Sequence, residues 1–253
     1  NFHLKGGESP NLPDAYLFDT GKKEWKKFDK WPVATSKKSK LYLHEKGKLT
    51  FDKAPEQTKN YSDYVSDPAK PVPYSEDIKV VFTPRKFMTD DQRFAGRRPD
   101  VLVFQTDILE EEVTLGGELL AKLKVATTGT DADWIVKIID VHPSDHENYP
   151  DNPKHIKMGD YEMLVRSEVI RGRYRNDFSK PEPFVPNEVT AVDLQLQDIL
   201  HTFKKGHRIM IQIQSTWFPY IDRNPQKYVD NIFYADDEDF IKATHKIFHD
   251  KEN

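Results

Sequence analysis

The chain is predicted to be all-β, a jelly-roll β-sandwich of galactose-binding-domain-like type with long loops and a C-terminal helix. Three observations carry that expectation. Short apolar or alternating runs recur along the whole sequence, its 17 prolines and 11 glycines fall mostly between them, and helical periodicity is scarce. The clearest run lies in GHRIMIQIQSTWFPYIDRNP, Gly206 to Pro225, where Ile209, Ile211 and Ile213 alternate with Met210, Gln212 and Gln214 ahead of an aromatic, proline-bounded loop. At 253 residues the chain suits a single domain spanning residues 1–253, since sandwiches of this length are routinely one unit.

Taken in order, strands are expected at Ala15 to Asp19 (AYLFD), Lys40 to Leu43 (KLYL), Val101 to Thr106 (VLVFQT) and Leu119 to Ala126 (LLAKLKVA). They continue at Trp134 to Val141 (WIVKIIDV), Tyr161 to Ile170 (YEMLVRSEVI), Val189 to Leu196 (VTAVDLQL) and Arg208 to Ser215 (RIMIQIQS). Each is an apolar or alternating run between turn signals. A helix is expected over Asp236 to His249, because acidic residues in its first turn suit the positive end of a helix dipole and Phe240, Ile247 and Phe248 are available for burial. Two connections are long: Phe51 to Arg98, rich in Asp, Pro and Tyr, and His142 to Gly159, rich in Asp, Asn, Pro and His. Within the first, SDYVSDPAKPVPY must be largely extended and is expected to lie flat on another surface, because each proline restricts its own φ and the residue before it.

Composition narrows the partners. The 42 acidic and 38 basic residues give a net charge of −4 with no long block of either sign, which makes nucleic acid an unsuitable partner. There is no cysteine, hence neither a disulfide framework nor a thiolate metal site. No apolar run approaches the roughly 18 residues of a membrane span, so no membrane partner is expected. The sequence begins at Asn1 without Met or a signal-peptide pattern and enters strand-like sequence almost at once, which predicts a piece of a longer chain.

Candidate chemistry is sparse. Serine catalysis needs a hydroxyl on a strained elbow beside a histidine base, and Ser9, in GGESPN, lacks that context, so no catalytic residue is assigned. His142 and His146, with Asp140, Asp145 and Glu147 around them, offer metal-type donors, but Pro143 argues against a helical i, i+4 pair and a solvated loop is preferred. His245 and His249 could share a face of the expected helix, but two ligands do not make a site. Asp131 and Asp133 could present carboxylates to Ca²⁺, though a turn explains them as well and more oxygen ligands would be needed. No metal and no cofactor is therefore assigned. His207 and Arg208, entering a buried strand after Gly206, read as a hydrogen-bonded structural corner and not as a general base. Trp217, Phe218 and Tyr220 form an aromatic loop that an Asp222–Arg223 ion pair would fix. Such a loop suits either an interdomain contact or the stacking of sugar rings, and a carbohydrate-binding module is the alternative kept open.

Six segments occur in a telling order: FDTGKKEWKKFDKWP, YVSDPAKPVPY, MTDDQRFAGRRPDVLVFQTDIL, TGTDADWIVKIIDVHP, MGDYEMLVRSEVIRGRYR and GHRIMIQIQSTWFPYIDRNPQKYVDNIF. Together they resemble the C-terminal domain of α-amino acid ester hydrolases, relatives of cocaine esterase, glutaryl-7-aminocephalosporanic acid acylase and X-Pro dipeptidyl-peptidases. The resemblance covers nearly the whole chain. It implies a jelly roll packed against an upstream α/β-hydrolase domain that carries the Ser-His-Asp triad, and against a helical cap, in a periplasmic or secreted enzyme. A homo-oligomer is a further partner left open. No triad, oxyanion or amino-group-binding residue of the family falls on this chain, so by itself it is expected to be inactive. What the resemblance does carry over is a substrate-pocket wall between the DP-x-x-PVP motif and DQR. Counting back from Asp91-Gln92-Arg93, it falls on Val81 and Phe82. The residues agree in part, since Lys79 to Phe82 is a short apolar run inside a polar connection, although a satellite core contact would account for it equally. The chain departs from cocaine-esterase-like members after PVPY, where Ser75-Glu76-Asp77 replaces their Gly pair.

Overall fold

Two four-stranded antiparallel sheets carry the fold in the computed structural model, which describes residues 2–53, 60–77 and 85–249. In chain order the strands are β1 (Ala15–Asp19), β2 (Glu24–Phe28), β3 (Tyr42–Leu43), β4 (Leu49–Thr50), β5 (Tyr61–Ser66) and β6 (Leu102–Gln105). They continue with β7 (Val113–Thr127), β8 (Asp133–Val141), β9 (Glu162–Arg171), β10 (Thr190–Phe203), β11 (Arg208–Gln214) and β12 (Ala243–Phe248). One sheet has the order β10-β7-β12-β5 and the other β6-β11-β8-β9, while β1-β2 and β3-β4 form separate hairpins. The fold is an all-β sandwich, as the alternating runs predict, and each of the eight predicted strands falls on an observed one.

The expected C-terminal helix is not formed. Only a turn of 3₁₀ helix appears at Asp237–Asp239, and the rest becomes β12, in which Ala243, His245 and Ile247 are buried and alternate with partly exposed residues. Pairing decides the outcome. β12 is inserted between β5 and β7, and the ladder bonds on both sides outweigh a local helical preference that no apolar stripe supports.

The sandwich core lies between the sheets. Trp134, Val136 and Ile138 of β8, Ile209 and Ile213 of β11 and Phe104 of β6 meet Leu123 and Val125 of β7, Val192, Leu194 and Leu196 of β10, and Ile247 of β12. The period-two pattern breaks within β10. Between Leu196 and Ile199, β10 carries one residue more than β7, and this bulge switches which residues face inward. Downstream of it His201 is fully buried, while Thr202 is turned to the β1-β2 hairpin, where its amide (3.1 Å) and hydroxyl (2.6 Å) donate to the Asp19 carboxylate. The hairpin turn approaches β10 so closely that a Cβ on Gly21 would lie 1.9 Å from the Thr202 carbonyl oxygen. Gly21→Ala is expected to destabilise the fold by about 1–3 kcal/mol, read from urea unfolding, because the obstacle is backbone and cannot rotate away.

The other face of the β6-β11-β8-β9 sheet is not open to solvent. Val72, Ala95 and Val101 cluster with Phe94 and Val103, and Ile139, Val141 and Met210 cluster with Leu164, so chain between β5 and β6 covers this face. That covering makes Met210, Gln212 and Gln214 buried like Ile209 and Ile213, with which they alternate.

Candidate functional site

The two ends of β11 hold the residues that the sequence singles out. At its start, Gly206 has φ +87°, the left-handed region that glycine enters without strain. The turn is clamped by Gly206 N–H donating to Leu109 O (2.8 Å) and Leu109 N–H donating to His207 O (2.9 Å). His207 is buried, and its Nδ1–H donates to Asp140 Oδ1 at 2.7 Å. His201 Nε2–H donates to the other carboxylate oxygen at 3.1 Å, and its Nδ1 meets the Thr20 hydroxyl at 2.8 Å. Burial alone would raise Asp140, but the hydrogen bonds from His201 and His207 outweigh it and hold the carboxyl below its ordinary range. Arg208 Nη1 donates to Thr106 O at 3.0 Å.

The far end of β11 runs into the aromatic loop. Trp217 is buried, whereas Phe218 and Tyr220 are 40% and 46% exposed. The loop pairs with the proline-rich segment: Phe218 N–H donates to Val72 O (2.9 Å) and Tyr74 N–H donates to Phe218 O (3.0 Å). Tyr220 stacks on Tyr74 at 6.3 Å between ring centroids and lies 4.9 Å from Phe87 and 5.0 Å from Trp217. Tyr74 and Phe87 themselves meet at 5.6 Å. The stretch containing Val81 and Phe82 lies outside the described residues, but its two flanks are tied together here. Ser75 Oγ donates to Asp90 Oδ2 (2.6 Å) and Lys86 Nζ to Asp77 Oδ2 (2.7 Å).

Several expectations need correction. The Asp222–Arg223 ion pair is absent among the described residues; Asp222 is exposed, and Arg223 instead donates to Pro68 O at 3.1 Å and lies over the rings of Phe218 and Phe240. His142 is not on a solvated loop but is buried at the end of β8, with His146 stacked on it at 4.5 Å. His245 and His249 are buried residues of β12 and its exit, not two positions on one helix face. Asp131 and Asp133 are engaged within the protein: Arg173 Nε donates to Asp131 Oδ2 at 2.8 Å, and Asp133 faces Arg171 at 3.5 Å and accepts from Asn224 Nδ2 at 2.8 Å. Trp217, Phe218 and Tyr220 do not form one exposed line of rings, because Trp217 is buried and packs against Tyr220 at 5.0 Å.

Two buried groups are not announced as a site by the local sequence. Lys137, in the middle of an apolar strand, is fully buried, donates to Gln92 Oε1 at 3.0 Å and lies 4.8 Å from the Trp217 ring. Burial pulls its pKa down and pushes that of Glu162, which accepts from Gln212 Nε2 at 3.2 Å, up. His201 was the other. The signal for Lys137 was present as one charge in WIVKIIDV, whereas His201 depends on a bulge that no local pattern announces.

A sandwich with one face covered by a tethered proline-rich segment matches a known type of domain. Residues 9–253 match the model of the X-Pro dipeptidyl-peptidase C-terminal non-catalytic domain. The chain belongs to this family. It is similar to an aminopeptidase from a marine sediment archaeon, Thaumarchaeota archaeon, with 40% identity and a TM-score of 0.89 over 99% of this chain and 41% of that one. It is similar to an α-amino acid ester hydrolase at 40% identity and a TM-score of 0.90, over 98% of this chain and 41% of that one. The cocaine esterase of Rhodococcus sp. (strain MB1 Bresler) is 29% identical over 231 residues, 88% of this chain and 38% of that protein. The chain thus spans about two fifths of the length of these relatives. The family is one of non-catalytic domains of hydrolases, and nothing in these likenesses supports a carbohydrate-binding module.

Proposed function

We propose that the chain packs on the α/β-hydrolase and cap domains of a parent serine hydrolase for α-amino acid esters, related amides or β-lactam acyl groups, and shapes its substrate pocket. The parent would work by acyl transfer through an acyl-serine, with nucleophile, base and oxyanion donors outside residues 1–253. The observation that carries this reading is the Tyr74–Phe87 contact at 5.6 Å, which closes the base of the stretch containing Val81 and Phe82. Beside that base, Phe218 and Tyr220 are left partly exposed. A wall residue is useful only if its backbone is held in place, and Tyr74 and Phe87 tie the described flanks of that stretch together.

The test is ester hydrolysis by the parent with and without residues 1–253. Loss of the domain is expected to lower kcat/KM on the order of 100-fold or more, the scale of a misplaced pocket, while the chain alone hydrolyses nothing. Full activity of a folded parent lacking the domain would exclude a pocket-shaping role.

A further inference from the structure

We propose that Asp140, His142 and His207 bind one divalent transition-metal ion of the Zn²⁺ class at the corner where the end of β8 meets the start of β11. The three residues each offer a ligand atom, these atoms all lie within 4.8 Å of one another, and all three residues are buried. Two imidazoles and a carboxylate are the donor set and the ligand number of a zinc site that keeps an open position, and they do not suit Ca²⁺ or Mg²⁺, which take oxygen ligands.

The second observation is an unpartnered donor atom. His142 is only 4% exposed, yet its Nδ1 has no hydrogen-bond partner among the described residues. A buried polar atom left without a partner calls for an explanation, and an ion is one. The surrounding groups prepare the ligands. Asp140 is held by His201, and His201 by Thr20, the kind of outer hydrogen bonding that orients a ligating carboxylate. His146 stands beside the three, 4.5 Å from His142 and 5.9 Å from His207 between centroids. Its Nδ1–H donates to Glu147 O at 2.8 Å. Lys23 is the nearby charge that opposes a cation, and its ammonium is held 3.5 Å from the centre of the Tyr149 ring. Coordination through His207 Nδ1 would replace the His207–Asp140 hydrogen bond and place the ring proton of the neutral imidazole on Nε2. The ion would staple the long loop after β8 to the β10-β11 turn. This role is independent of the hydrolase reading.

The test uses the whole chain, stripped with a chelator and titrated with ZnCl₂ by calorimetry and with CoCl₂ by visible absorption. One equivalent of saturable binding, ligand-field bands from Co²⁺ displaced by Zn²⁺, and a higher Tm with Zn²⁺ are expected. His142→Gln should lose saturable binding, and His155→Gln, an exposed histidine of the same loop, should keep it. No saturable binding, or unchanged binding by a folded His142→Gln chain, overturns the site and leaves a hydrogen-bonded corner only. If that variant does not fold, imidazole ¹⁵N shifts of the unaltered chain decide. Zinc must move the nitrogens of His142 and His207, and shifts confined to exposed histidines overturn the proposal.

Discussion

Asp131→Ala is expected to cost about 3–5 kcal/mol of folding stability, the scale for removing one partner of a buried ion pair and leaving the other charge in place. Asp131 is fully buried and Arg173 is 3% exposed, with Arg173 Nη2 2.6 Å from Asp131 Oδ2 in addition to the Nε bond. The guanidinium cannot retreat to water. Its Nη1 donates to Val229 O at 2.8 Å, and its plane lies 4.5 Å from the centre of the Tyr228 ring. The site also ties separate parts of the chain together, since Phe184 N–H donates to Thr130 O (2.9 Å) and Gly172 N–H to Ala132 O (2.8 Å). For a chain of this size the loss corresponds to a fall in Tm of roughly 10 °C. A double variant, Asp131→Leu with Arg173→Met, should recover much of it, because both desolvated charges are then gone. A single-variant loss below about 1 kcal/mol would mean that water reaches Arg173, contrary to its burial.

The sheets were legible because alternation survives where one face of a strand meets the core. AYLFD and RIMIQIQ announce β1 and β11 almost to the residue. β12 was not legible. ATHKIF carries a period-two pattern only if His245 is counted as a core residue, and a histidine earns that reading through the partners it meets, here Trp134 and Tyr64 from β8 and β5. β5 was visible as an extended segment, but its place at the sheet edge depends on β12 and so stayed hidden with it.

The site divides along the same line. Chemistry carried by contiguous residues could be read, as in Gly206-His207-Arg208, a hydrogen-bonded turn into a buried strand. Chemistry that depends on long-range register could not. Asp140, His201 and His207 come from β8, β10 and the turn before β11, and His201 reaches the carboxylate only because a one-residue bulge turns it inward. Asp222 and Arg223 show the opposite error, because adjacency in sequence suggested a pair that the strand exit separates.

His245 should impose a measurable pH dependence, and its sign follows from its hydrogen bonds. Gln226 Nε2 donates to the carbonyls of Ser66 (3.0 Å) and Ile241 (2.5 Å), so Gln226 Oε1 is the acceptor for His245 Nε2–H at 2.7 Å. The proton of the neutral ring is therefore on Nε2, and Nδ1 is buried without a partner among the described residues. Protonating Nδ1 would create a buried cation with nothing to accept its second N–H, and burial accordingly holds this histidine down at about 3. The unfolded chain takes up the proton near pH 6.5 and the folded chain does not, so this contribution to stability is complete above 6.5 and falls as pH drops toward 3. Between pH 7 and 5 the loss is about 2 kcal/mol. The profile of the unaltered protein will not display it alone. Asp133 is pushed up to about 7 by burial, so the folded state takes up a proton there between pH 7 and 5 that the unfolded state does not, which acts in the opposite direction. The informative quantity is the difference between the unaltered chain and His245→Gln, which keeps a donor for Gln226 but cannot titrate. Measured by urea unfolding, the variant's deficit at pH 7 should shrink by about 2 kcal/mol at pH 5. A deficit that stays constant with pH would place the proton of His245 elsewhere and undo the account of how β12 is held between its neighbours.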